Sequence, residues 1–138
     1  MVITQQITLQ TRGNGDIIDI TPDVAEQIAG TEIASGTVTI FIAGSTAGIT
    51  TVEYEPGLIS DLQELWERVA PRNIPYQHDL RWHDGNGHSH VRASLLGPSL
   101  VVPFHNKILL LGTWQQIIVV DFDNRARTRQ VILQIMGE

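Results

Sequence analysis

Histidines and carboxylates are concentrated in one short stretch of the chain, residues 76–97. It contains four of the five histidines, namely His78, His83, His88 and His90. Asp79 and Asp84 lie among them. Imidazole is the commonest metal ligand and the usual proton carrier near neutral pH. No other stretch concentrates this chemistry, so we interpret it as one wall of a site that the remaining chain supports.

The spacing of His88 and His90 is compatible with two geometries. On a strand the two side chains would share a face, as two ligands of one metal must. On a helix they would diverge by about 200°, and only one of them would serve a given site. Solvent-exposed loop histidines are the alternative for both. His83 and His105 are isolated, and we interpret them as surface residues.

A small, hydroxylated loop, Gly44-Ser45-Thr46-Ala47-Gly48, follows an apolar strand pattern. Backbone N–H groups in such a loop can hold an anion. The loop is not a Walker motif, because no Gly-Lys-Ser/Thr follows it. It therefore predicts either an anion-binding turn or a simple tight turn.

Three acids lie in the middle of the chain, at Glu53, Glu55 and Asp61. Glu53 and Glu55 alternate with Tyr54, so on a strand one carboxylate would point inward and would need a partner or a metal. Asp61 falls on the polar side of a predicted helix, where a solvated carboxylate is the alternative.

Trp114 and Gln115 follow a strongly apolar segment. An indole and an amide there can form an apolar wall and a polar contact for a ligand. A core tryptophan beside solvent-facing glutamines is the alternative interpretation.

Three arginines alternate near the end of the chain, at Arg125, Arg127 and Arg129. On a strand they would share one face, and such a row suits phosphate recognition. The alternative is that they pair with acids such as Asp121 and Asp123.

The elements that must hold these residues are mostly strands. Alternating or β-branched patterns predict strands at 2–11, 16–20, 37–43, 49–54, 100–104, 108–113, 116–122 and 129–136. Residues 12–16 predict a hairpin turn, and 21–30 and 58–69 predict helices. Residues 89–96 fit either state. The pattern predicts one α+β domain, 1–138, with a mainly antiparallel or mixed sheet and about two to three short helices.

Composition restricts the classes of function. The 138 residues carry a net charge of −6 and no cysteine. A basic nucleic-acid surface is therefore not expected, and any metal must be held by nitrogen and oxygen ligands. No apolar run approaches the ~18 residues of a membrane span, and the N-terminus lacks a secretion-signal pattern, so a cytoplasmic location is the default expectation.

Taken in order, the motifs resemble those of the YjbQ-like family, also called the secondary thiamine-phosphate synthase family. The resemblance rests on Ser45-Thr46-Ala47, Glu53, Asp61, Tyr76-Gln77-His78-Asp79, Ser89-His90-Val91, Leu111-Gly112-Thr113-Trp114-Gln115 and Arg129. It implies a homotrimer with sites near subunit boundaries and a divalent metal, such as zinc, held by histidines. It also implies a weak thiamine-phosphate synthase activity, in which a pyrimidine diphosphate is condensed with a thiazole phosphate and pyrophosphate leaves.

The resemblance also assigns roles to individual residues. The catalytic group would be His78, His90, Glu53 and Asp61, and the substrate-binding group Ser45, Thr46, Trp114, Gln115 and Arg129. Many members carry a histidine where this chain has Gly44, so His88 is expected to complete a metal site with His78 and His90. A non-catalytic trimeric protein that binds a metal or an anion, and a metal-assisted hydrolase, are the alternatives. The expected partner is a small phosphorylated molecule, with no nucleic acid and no membrane.

Overall fold

The strands form two antiparallel sheets in the computed structural model, which describes all residues, 1–138. In spatial order, the large sheet contains β1 (Val2–Thr11), β8 (Arg127–Gly137), β3 (Gly36–Ile42), β5 (Ser99–His105) and β6 (Ile108–Leu109). The small sheet contains β2 (Asp16–Asp19), β7 (Gln116–Asp121) and β4 (Ala47–Val52). Every strand pair is antiparallel. The predicted α+β class is confirmed.

The chain has four helices rather than the two to three expected: α1 (Thr21–Ala29), α2 (Pro56–Val69), α3 (Gln77–Trp82) and α4 (Gly87–Leu96). The last two form the histidine-rich stretch. Sequence periodicity did not predict α3, because it is a single short helix of 6 residues. It left residues 89–96 open between helix and strand, because α4 buries polar residues such as Ser89 and Arg92. None of the helices is both long enough and apolar enough to cross a membrane.

The small sheet is the middle of three layers. One of its faces packs against the large sheet, where Ile49 and Val119 meet Ile40 and Leu133 in the main core. Its other face packs against α2 and α4 in a second core, which contains Ile118, Val120, Phe122, Trp66 and Ala93. Strand β7 is thus buried on both faces, which explains its continuous apolar sequence. This arrangement holds α4 against the end of β7.

The predicted hairpin at residues 12–16 is only partly correct. The chain does turn there, with positive φ at Gly13, Asn14 and Gly15. However, β1 pairs with β8 in the large sheet, whereas β2 pairs with β7 in the small sheet. The turn is stabilised by the end of β7 instead, since Gly15 N donates to Asp121 O at 2.8 Å. Local turn chemistry identifies the reversal but does not specify the partner strand.

Candidate functional site

His78 of α3 and His90 of α4 lie side by side. Their ring centroids are 4.2 Å apart and their planes are inclined by 37°. The two helices are joined closely, because Gly87 N donates to Asp79 Oδ1 at 2.8 Å. A Cβ at Gly87 would lie 2.5 Å from Tyr76 Cβ, so only glycine allows this approach. The structure therefore brings together two histidines that are twelve positions apart in sequence.

The ring of His78 faces two carboxylates. Its Nδ1 lies 3.5 Å from Asp84 Oδ1 and 3.8 Å from Asp79 Oδ1. This nitrogen is buried and makes no hydrogen bond. A lone pair that faces two carboxylate oxygens is repelled by them, so either a proton or a cation must occupy the space between. One ligand atom from each of the three residues lies within 4.8 Å of the others, which suits a shared metal ion.

His90 is held in its neutral form near pH 7. Burial lowers the pKa of its imidazole, and positive charge on the neighbouring His78 lowers it further. A neutral imidazole can accept a proton or donate a nitrogen lone pair to a metal. His90 is thus chemically competent at the pH at which most enzymes work.

An open cleft of about 220 Å³ lies on the other side of His90. Gly44 and Ser45 form one wall, and Ser94 and Pro98 form part of the other. Ser45 is solvent-exposed, so its hydroxyl is available to a ligand. The predicted hydroxylated loop and the histidine stretch therefore meet at one cleft.

Arg129 lies beneath this loop and is largely occupied by protein partners. Its Nε and Nη2 donate to the two oxygens of Asp121 at 2.8 and 2.9 Å, and Nη2 also donates to Thr46 Oγ1 at 2.6 Å. The hydrogen bonds to Asp121 raise the pKa of Arg129. Thr46 in turn donates to Asp123 Oδ2 at 2.9 Å, and Arg127 pairs with the same oxygen at 3.0 Å. The acid-pairing interpretation of the arginine row holds for Arg127 and Arg129, although both aspartates are buried.

Gly44 is required by the backbone at its position. Its φ of +127° is favoured only by glycine, and a Cβ there would lie 2.7 Å from Arg129 Nη1. None of the hydrogen bonds of Arg129 uses Nη1. The absence of a side chain at Gly44, which lines the cleft, thus leaves room for this nitrogen behind the loop.

His88 lies on a different side of α4 from His90, as two residues of a helix diverge by about 200°. It is buried, with its ring centroid 6.5 Å from that of Tyr76. Burial lowers the pKa of His88, and the charges of Arg92 and Arg72 lower it further. The structure does not bring His88 into the group formed by His78, Asp79 and Asp84.

Acid should destabilise the protein through His88. Because its pKa is lowered on folding, the unfolded chain binds the proton first as the pH falls below the ordinary value of 6.5. The free energy of unfolding should then fall with a slope of up to about 1.4 kcal/mol per pH unit for one such group. Denaturant unfolding at several pH values in the presence of a chelator measures this slope. His88→Gln should reduce it and exposed His105→Gln should not; equal slopes would contradict the assignment.

The remaining predicted site residues lie elsewhere in the protomer. Glu53, Asp61 and Trp114 are exposed, and Trp114 is 71% exposed. Gln115 Nε2 donates to Thr51 Oγ1 at 3.1 Å. Glu53 and Gln115 thus lie at the Val52 end of β4, whereas the cleft lies at the Ala47 end. A strand of 6 residues separates its ends by about 17 Å. Within one chain, the two groups of residues do not meet.

Sequence reasoning did not select three aspartates, Asp79, Asp84 and Asp121, as site residues. The first two were noted only as neighbours of the histidines, and their convergence on His78 depends on the short turn between α3 and α4. Asp121 was considered only as a surface partner. The sequence did contain a signal for this pairing. Asp121 and Asp123 alternate where one predicted strand ends, and Arg127 and Arg129 alternate where the next predicted strand begins.

Comparison with known proteins agrees with the fold and the motifs. The family model described as UPF0047 protein YjbQ-like matches residues 5–138. A UPF0047 protein of Archaeoglobus fulgidus is 37% identical over 131 residues, covering 95% of this chain and 99% of that protein. YugU of Bacillus subtilis is 35% identical, covering 95% and 97%. A YbjQ-like protein of unknown function from Sulfolobus solfataricus is 32% identical, with a TM-score of 0.94 over 100% and 99% of the chains. This chain therefore belongs to the UPF0047, YjbQ-like family.

Proposed function

We propose that this protein is a metal-assisted transferase that joins a pyrimidine diphosphate to a thiazole phosphate, and that it works as a homotrimer. The observation that supports this best is the convergence of His78, His90 and two aspartates beside an open cleft. The Ser45 hydroxyl lines that cleft, and Arg129 Nη1 lies behind Gly44, another of its lining residues. Such donors suit a phosphorylated substrate.

The residues fit a divalent metal such as zinc. His78, Asp79 and Asp84 supply one imidazole nitrogen and two carboxylate oxygens, the ligand types that zinc accepts in proteins without cysteine. His78 Nδ1 is buried and unpartnered, as a ligand nitrogen would be in the apo protein. When bound, the ion would supply positive charge to phosphate oxygens. His88 is not part of this proposed ligand set.

In the proposed reaction, the thiazole nitrogen forms a bond to the methylene carbon of the pyrimidine while the C–O bond to the diphosphate breaks. Pyrophosphate leaves with the electron pair of that bond. Its growing negative charge needs fixed donors, which Ser45 Oγ in the cleft wall and Arg129 Nη1 behind Gly44 would supply. Neutral His90 can hydrogen-bond the leaving group without repelling a nearby cation.

The incompleteness of the single chain supports the proposed homotrimer. A cleft of about 220 Å³ is smaller than the roughly 300 Å³ at which ligand pockets usually begin. Glu53, Trp114 and Gln115 lie at the opposite end of β4 and would complete the cleft only from a second subunit. Exposed apolar residues occur at both ends: Ile108, Leu110 and Trp114 at one, Trp82, Val91 and Leu95 at the other. Two different apolar patches at opposite ends of β4 suit head-to-tail contacts, which can close into a ring such as a trimer.

The test is direct assay of the two substrates with zinc. The wild-type protein should release pyrophosphate, and chelator-treated protein should recover activity when zinc is returned. His78→Ala should lose at least about a hundredfold in turnover, the usual effect of removing a catalytic acid–base or charge-stabilising group. Equal turnover by wild type and His78→Ala would reject the proposal. Zinc binding without turnover would instead indicate the binding-only alternative.

A further inference from the structure

A second polar cavity lies on the far side of α4 from His90. It has a volume of about 250 Å³ and lies between α2, α4 and the turn after β1. Its walls include Asn14, Gln63, Trp66, Glu67, Arg72 and Arg92. It shares no lining residue with the cleft at Ser45. Nothing in the proposed transfer reaction uses it.

The cavity walls hold buried donors with too few acceptors. Trp66 is 8% exposed and Arg92 is 4% exposed. Trp66 Nε1 is buried and has no hydrogen-bond acceptor within the protein. The buried Arg92 Nη2 has one partner, Glu67 Oε1 at 3.1 Å, and Arg72 uses the same oxygen. Buried donors are rarely left unpaired, so an acceptor from outside the chain is expected, above all for Trp66 Nε1.

The charge of the cavity favours an anion. Glu67 is the only carboxylate in its lining, and it is shared between two guanidinium groups. Arg72 Nε donates to Glu67 Oε1 at 2.6 Å, and Arg92 approaches the same oxygen. One negative charge against two positive charges leaves a net positive site. Asn14 and Gln63 add amide groups that can donate further hydrogen bonds.

We propose that this cavity is a second ligand site, which binds the phosphate group of a small molecule independently of the His78–His90 cleft. The phosphate oxygens would accept from Trp66 Nε1 and from the guanidinium groups of Arg72 and Arg92. Phosphate suits this donor set better than a neutral ligand, because every unpaired group is a donor and arginine forks match its geometry.

Indole N–H signals in two-dimensional NMR test this proposal with inorganic phosphate as the probe. The chain has three tryptophans, and Trp82 and Trp114 are exposed, at 61% and 71%. Their signals can be assigned with the Trp82→Phe and Trp114→Phe variants. Phosphate should move the Trp66 indole signal downfield to saturation and leave the Trp82 signal unchanged, whereas a shift of the Trp114 signal would report on the shared cleft of the proposed function. A Trp66 signal that does not move, or that moves in parallel with the Trp82 signal without saturating, overturns the proposal.

Two matched arginine variants on the same side of the protein locate the site. Arg72→Gln removes an exposed lining residue, so the fold should persist, and it should weaken phosphate binding about tenfold, the effect of one charge-assisted hydrogen bond. Arg68→Gln removes an exposed arginine of α2 outside the cavity and should leave the affinity unchanged. Equal affinities of the two variants would overturn the proposal. His78→Ala should bind phosphate here as wild type does, so failure of the transferase proposal would leave this result intact.

Discussion

Replacing Asp121 with asparagine should cost about 3–5 kcal/mol of stability, because the buried guanidinium of Arg129 loses its hydrogen-bonded counter-charge and keeps only the more distant Asp123, at 3.9 Å. Both oxygens of Asp121 are used. One accepts from Thr11 Oγ1 and Arg129 Nε, and the other accepts from Arg129 Nη2 and Asp123 N. Asparagine keeps the shape but loses the charge and one acceptor. Thermal unfolding should shift down by roughly 10 °C or more.

A matched comparison separates a buried pair from an exposed one. Arg12→Gln breaks the pair with Asp16, in which the Arg12 side chain is 89% exposed, and should cost at most about 1 kcal/mol. Adding Arg129→Met to Asp121→Asn removes the stranded charge and should recover part of the loss. A small effect of Asp121→Asn, or no recovery in the double variant, would contradict the electrostatic account of this network.

Mixing two inactive variants should restore activity if the site is shared between subunits. His90→Ala and Glu53→Gln should each reduce turnover about a hundredfold. Suppose that each site in a closed ring takes His90 from one chain and Glu53 from the next. In an equal mixture, half of the chains then have an intact His90 and the other half have an intact Glu53. About a quarter of the sites in an equal mixture are then intact, so turnover should rise from about one per cent to about a quarter of the wild-type rate.

The control for mixing uses two variants on the same side of the shared site. His90→Ala mixed with His78→Ala should stay inactive, because both residues would come from one chain and every such chain is damaged. Subunits must be exchanged by unfolding and refolding together, with the trimer checked by light scattering. Failure of His90→Ala and Glu53→Gln to complement each other, in confirmed mixed trimers, would contradict the shared site.

The sequence predicted much of this fold because most strands follow simple rules. Alternating apolar residues identified β1 and β8, and the apolar run at 116–122 identified β7. The partner of β2 could not be deduced, since pairing in two separate sheets depends on which faces the helices cover. The pattern also could not decide between helix and strand for α4. Its buried residues include His88, Ser89 and Arg92, which do not form an apolar stripe.

Only part of the candidate site could be predicted, because its geometry also depends on contacts between distant parts of the chain. His78 and His90 do lie together, as two residues of one functional group should, but that depends on a turn at residues 83–86 that contains left-handed conformations at His83 and Gly85. From the sequence alone, His88 and His90 could share one face of a strand or point to different sides of a helix. Choosing between the two required knowing that residues 87–96 form a helix. The separation of Glu53 and Trp114 from the histidines is a property of the small sheet that local patterns do not encode.

The most direct test is the zinc content of the purified protein, measured per chain after dialysis against metal-free buffer. We expect one zinc ion per chain in the wild type, bound through His78, Asp79 and Asp84. His78→Ala and Asp84→Asn should hold little or none, whereas His105→Ala should match the wild type. Zinc retained in full by His78→Ala, or absent from the wild type even after zinc is supplied, would contradict a metal centre at these residues.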